Sequence, residues 1–182
     1  MNETYKVQVQ DLVDDLKAVF THAGLGGEAG EYKLLTQSFL YKFLNDKFLY
    51  LAQVLDAGNT YENLLTMSEE DYDWLLEDIG TSTAWLKPDQ LIETLHRQQN
   101  EATFYESFEN TLNQISIDNN GIFSVHTDGD TAIRLFDERL ITDTISDSSK
   151  RNEVAKDIIN LLARVKFDET IFSQGFDFFS TL

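Results

Sequence analysis

The stretch from residue 24 to residue 55, GLGGEAGEYKLLTQSFLYKFLNDKFLYLAQVL, limits the possible folds more than any other part of the chain. Past its glycines it has helical period, with successive side chains turned by about 100°. Tyr32, Leu35, Phe39, Phe43 and Tyr50 then share one face, and Leu40, Leu44, Phe48 and Leu51 share a second. A helix apolar on two faces is normally sandwiched between other helices. Each large side chain buried there contributes roughly 1.5–3 kcal/mol. The fold expected is therefore mainly α: a multi-helix bundle around a central buried helix, with a small β-hairpin inserted later in the chain.

A length of 182 residues suits one domain or one domain with a small appendage, and 42% hydrophobic residues can fill its core. The mean hydropathy of -0.31 and the lack of a long uncharged run argue against a membrane span. Polar and acidic residues follow Met1, so no secretory signal is expected. The absence of Cys excludes disulfides, thiolate metal sites and Cys nucleophiles, and fits a cytoplasmic protein. A formal charge of -18 should repel bare nucleic acid unless cations cluster locally. Charge is in fact uneven. No Lys or Arg lies between Phe48 and Leu86, where Asp56, Glu62, Glu69, Glu70, Asp71, Asp73, Glu77 and Asp78 accumulate. Over 150–166 the balance inverts, and Lys150, Arg151, Lys156, Arg164 and Lys166 face only Glu153 and Asp157.

In chain order, Tyr5, Val9, Leu12, Val13, Leu16, Val19 and Phe20 form one stripe of an amphipathic first helix. The glycines at 24, 26, 27 and 30 end it in a turn. Ser68-Glu69-Glu70-Asp71 resembles a capping box with Asp in place of Glu. The helix it opens has Trp74, Leu75 and Ile79 as apolar positions and stops at Gly80. Pro88 suits a first helical turn. Leu91, Ile92 and Leu95 begin one helix, and Phe104, Phe108, Leu112 and Ile115 pattern another. Residues 115–136 alternate in β-branched segments divided by Asn-Asn-Gly and Asp-Gly, which predicts the hairpin. A last helix carries Val154, Ile158, Leu161, Leu162 and Val165 in a stripe. The aromatic ending DETIFSQGFDFFSTL runs to the final residue with no polar tail, as if a longer chain continued.

Chemistry-bearing motifs are sparse. Gly24-Leu25-Gly26-Gly27-Glu28-Ala29 has the form of a loose dinucleotide fingerprint, but helical rather than strand period precedes it. His22, His96 and His126 lack metal-ligand spacing. Asp118, Asp128 and Asp130 miss the positions of an EF-hand loop and read as turn residues. No nucleophile elbow or P-loop is present. From these residues, no catalytic, cofactor-binding or metal-binding position is expected.

The stretch 28–48, EAGEYKLLTQSFLYKFLNDKF, resembles the N-terminal helical domain of the modification (M) subunit of type I restriction–modification systems. A Tyr-Lys pair, Tyr32-Lys33, precedes an apolar helix with a Phe-Leu-x-Lys core at Phe39-Leu40-Tyr41-Lys42. The run SDSSKRNEVAKDIINLLARVKFD at 146–168 is similar to the family's later helix, around Arg151-Asn152, that closes this domain. The final FSQGFDFFSTL stands where the family chain crosses into its catalytic domain. The resemblance extends over nearly the whole chain without one diagnostic motif; the hairpin region and the acidic 56–80 segment fit it less well.

What the resemblance implies is a helical N-terminal domain over residues 1–167 and, over 168–182, the start of a linker or first helix toward a catalytic domain outside this sequence. The parent subunit would be an S-adenosylmethionine-dependent DNA methyltransferase acting on adenine N6. Such enzymes flip the base against an Asn-Pro-Pro-Tyr/Phe motif. That motif needs consecutive prolines, and this chain has only Pro88, so no catalytic residue carries over. Implied partners are the specificity subunit, the restriction subunit, a second M subunit and, through the complex, DNA. Lys150, Arg151 and Lys156 are the expected DNA-backbone contacts: the first two precede or open a helix, where backbone N–H groups favour anions, and Lys156 points away from its apolar stripe. Lys33 and Lys42 are expected as flanking charges of the central helix. A stand-alone acidic adaptor or nucleic-acid mimic is the alternative.

Overall fold

The computed structural model describes residues 2–123 and 135–172. Every regular element among them is helical, so the chain is mainly α. Helix α1 (Asn2–His22) ends where Gly24 and Gly27 adopt positive φ, and this turn leads into the long α2 (Ala29–Leu55). Short α3 (Tyr61–Thr66) and α4 (Glu69–Ile79) follow, opened by Thr60 and Ser68, whose side chains accept from Asn63 N and Asp71 N. Ser68 thus makes the expected half of the capping box, and Gly80, at positive φ, closes α4. A 3-10 turn at Pro88–Gln90 precedes α5 (Ile92–Arg97). Then come α6 (Phe104–Asp118), α7 (Asn120–Phe123), α8 (Leu140–Thr144), α9 (Ser148–Arg164) and α10 (Glu169–Phe172).

Helix α2 packs against α1, α4, α8, α9 and α10, while α9 also meets α1, α5, α6 and α8. The faces expected for α2 are partly revised. Leu35, Phe39, Phe43, Leu44 and Phe48 are buried, but Tyr32 is 65% exposed. Tyr41, absent from either apolar face, is fully buried. Its hydroxyl donates to the Gln90 carbonyl at 2.6 Å, and its ring meets Phe108 and Phe136 edge-on. A phenol is buried cheaply when its O–H has such a partner.

The predicted hairpin is corrected over its first half. Residues 115–118 belong to α6, and Asn120–Phe123 form α7. Tertiary partners override the local turn signal. Ile115 and Ser116 continue the buried stripe of Phe108 and Leu112, and the Ser116 hydroxyl accepts from Phe136 N at 3.0 Å. Asn119, fully buried, accepts from Trp85 N and donates to the Trp85 and Ile115 carbonyls. The Asp-Gly portion at 124–134 lies outside the described residues.

Candidate functional site

The polar residues of α2 build the most elaborate site in the structure. Lys42, Asn45 and Asp46 occupy one side of the helix at i, i+3 and i+4 spacing, and all three are buried. Lys42 is 3% exposed, not the surface flank charge expected of it. Its ammonium sits 2.8 Å from Asp46 Oδ2 and donates to the Val165 carbonyl. Asp46 also accepts from Phe167 N at 2.8 Å and from Asn45 Nδ2 at 2.9 Å, while Asn45 Oδ1 accepts from Ile92 N at 2.9 Å. One helical turn therefore holds the start of α5 and the segment joining α9 to α10. Burial pushes the Lys42 ammonium below the usual lysine range, Asp46 opposes that shift, and Lys166 adds to it.

Above this network lies a cleft of about 710 Å³ between α2, α5 and residues 163–170. Leu49, Leu91, Ile92 and Phe167 contribute apolar walls, with Tyr50 and Tyr61 at its edges. Several of its charged and polar groups are paired with one another. Arg97 pairs with Glu62 and with Glu93, and lies 4.9 Å from the Tyr61 ring centroid; the Tyr50 hydroxyl donates to Glu169. A second buried carboxylate, Glu109, accepts from Ile141 N, Thr142 N and Thr142 Oγ1, so it caps the start of α8. These arrangements hold the fold together; none pairs an activated nucleophile with a base.

The three cations expected at DNA phosphate are placed differently from one another. Lys150 is exposed in the first turn of α9. Arg151 directs its guanidinium to the carbonyls of Ile145, Thr142 and Ser146 and covers the Tyr105 ring. Lys156 is half-buried further along the helix. The anion position at the start of α9 is taken by Asp147, which accepts from Ser149 N and Ser149 Oγ. Those hydrogen bonds, with Lys150 and Arg151 nearby, hold the Asp147 carboxyl below its ordinary range. Asn152, beside Arg151, accepts from Tyr105 N and donates to the Ala102 carbonyl. Lys33, the other flank charge, is on the surface, 3.1 Å from Asp137.

The glycine-rich turn at 24–29 follows α1 rather than a strand, so it does not fit the phosphate-cradling arrangement of a nucleotide cofactor. Among the described residues, no group of three or more His, Cys, Asp or Glu could hold a metal ion. Asp118, expected in a turn, is instead the last residue of α6, where it accepts from Gln90 and Gln114 and faces Lys87 at 3.7 Å; His126, Asp128 and Asp130 lie outside the described residues. No helix among the described residues is long and apolar enough to cross a membrane. Compared with protein-family models, curated proteins and solved structures, the chain matches none.

Proposed function

We propose that this chain is the N-terminal helical domain of a type I restriction–modification methylase subunit, a bundle organised on α2. In this reading it supports S-adenosylmethionine-dependent N6-adenine DNA methylation through contacts with the specificity subunit, with a second M subunit and with DNA. One observation carries most weight. The two stretches that bear the resemblance, 28–48 and 146–168, are joined at the buried polar network: Lys42 and Asp46 from the first hold Val165 and Phe167 of the second. Phe39 and Phe167 also stack at 5.4 Å between centroids. A sequence pattern split across the chain thus corresponds to a single packed unit.

The methyl-transfer groups belong, on this reading, to sequence outside these residues. The chain's own part is scaffolding and placement. The test uses the intact reading frame with its specificity partner. It should transfer labelled methyl groups to adenine N6, and removal of residues 1–172 should abolish assembly with the specificity subunit. A frame lacking an Asn-Pro-Pro-Tyr/Phe motif, or a truncated subunit that still assembles and methylates normally, overturns the proposal.

A further inference from the structure

The cleft beside the Lys42 network has a floor whose hydrogen-bonding capacity the fold does not use up. Helix α2 lends it Lys42, Asn45, Asp46, Leu49 and Gln53 at i, i+3, i+4, i+7 and i+11, so one stripe of the helix runs from buried polar groups to the exposed Gln53. Lys42 carries three N–H donors and among the described residues spends two, on Asp46 and on the Val165 carbonyl. Asn45 Nδ2 carries two and spends one, on Asp46. Both side chains are buried, where an unused donor is costly. Both also lean on the same carboxylate, Lys42 on Oδ2 and Asn45 on Oδ1, which keeps the two spare donors close together.

Charge narrows what could satisfy them. Along the outer part of the cleft Glu62, Glu93, Asp168 and Glu169 outnumber Arg97 and Lys166, and the whole chain carries a formal charge of -18. An anion is therefore repelled on approach. A cation finds no vacant carboxylate at the floor, since Asp46 already accepts from Lys42, Asn45 and Phe167 N, and it would meet the Lys42 ammonium there. An uncharged acceptor avoids both penalties. The walls of Leu49, Leu91, Ile92 and Phe167 call for an apolar body, and a volume of about 710 Å³ suits a small organic compound.

We infer that this cleft binds a small, uncharged, largely apolar molecule whose carbonyl oxygen accepts from the Lys42 ammonium and the Asn45 amide. The inference does not depend on the family reading. Such a molecule touches α5 and residues 163–170 at once, the two parts of the chain that the network ties to α2.

Three probes of one shape test it: 3-phenylpropanamide, the isosteric anion 3-phenylpropanoate, and butylbenzene, which has no acceptor. Each is titrated into the full isotope-labelled chain and followed by nitrogen–proton correlation spectra. The amide should shift the Asn45 side-chain resonances together with Ile92 N–H and Phe167 N–H, whose acceptors are Asn45 and Asp46. It should bind about five- to ten-fold more tightly than butylbenzene, the net value of one hydrogen bond. Its advantage over the carboxylate should be about five-fold or more, and should shrink with added salt. Leu49→Ala, at a half-buried wall position, should weaken amide binding about three- to ten-fold, and the same spectra show whether that variant is folded. Leu65→Ala, exposed on α3 and outside the cleft, should leave the affinity unchanged. In the unaltered chain, the absence of a saturable shift at the Asn45, Ile92 and Phe167 resonances overturns the inference. So does a carboxylate or butylbenzene that binds as tightly as the amide, or an equal loss in the two variants.

Discussion

At the scale of single residues, Asp46 is satisfied by three donors: the Lys42 ammonium, Phe167 N and Asn45 Nδ2. Removing one partner of a buried ion pair leaves the other charged and unsolvated, at a cost of about 3–5 kcal/mol. Asp46→Ala should therefore lower Tm by roughly 10 °C in a chain of this size. Lys42→Met/Asp46→Leu, which removes both charges, should recover a substantial part of that loss. Thermal unfolding followed by circular dichroism checks this, and an Asp46→Ala protein that melts within 2 °C of the parent would show the pair to be dispensable. Buried phenols set the alkaline limit of stability. Burial, with a smaller contribution from Asp89, raises both Tyr41 and Tyr72 above the ordinary value of 10.0. The unfolded chain loses these protons first, so the stabilisation is complete below about pH 10 and is lost as pH rises toward the folded values, by up to about 1.4 kcal/mol per pH unit for each group. Lys42 acts with the opposite sign, since its lowered folded value relieves a penalty as pH climbs toward 10.5. Lys47 is lowered like Lys42 and Tyr50 raised like the two buried phenols; above about pH 10.5 the amines add nothing further while the phenols still do, so urea midpoints should fall there, and Tyr41→Phe should flatten the fall. A midpoint unchanged between about pH 10.5 and pH 11 would contradict this.

At the scale of elements, some helix starts are fixed by side chains close in sequence, and these were legible, whereas the starts of α5, α6 and α8 take Asn45, Asn152 and Glu109 from distant parts of the chain. Ser68 opens α4 by accepting Asp71 N at 3.1 Å. Ser68→Ala should cost about 1 kcal/mol, or roughly 2–4 °C in Tm, without changing the fold. Denaturant unfolding tests the size of the effect, and a stabilised Ser68→Ala protein would refute the cap's role. The stripes of α1, α6 and α9 were also legible, because buried positions such as Leu12, Leu16, Phe108, Leu112, Ile158 and Leu162 recur at helical spacing. The predicted hairpin failed at Asn119. An Asn-Asn-Gly sequence favours a turn locally, but Asn119 bonds both backbone groups of Trp85, 34 residues away. Trp74 misled in the other direction: its type suggested core, while its phase on α4 opposes that of Tyr72, Leu75, Leu76 and Ile79.

At the scale of the whole molecule, the proposed DNA-facing end rests on Lys150 and Lys156, because Arg151 is engaged with three backbone carbonyls. Lys150→Glu/Lys156→Glu should weaken DNA binding by the assembled complex and reduce its salt slope by about 2, close to one unit per lost phosphate contact. Binding titrations between low and moderate salt measure this, and an unaltered slope would remove the assignment. Arg151→Glu is a poorer probe, since it would release the end of α8 and thereby perturb folding. What the amino-acid sequence determined by itself was the mainly helical character, the positions of the longer helices and the segregation of charge, since periodicity, capping and composition are local properties. The tertiary structure alone decided that Lys42, Asn45 and Asp46 lie inside. The Lys42 ammonium meets a carbonyl 123 residues later, and a helix-internal lysine looks the same in sequence whether water or such a distant acceptor receives it.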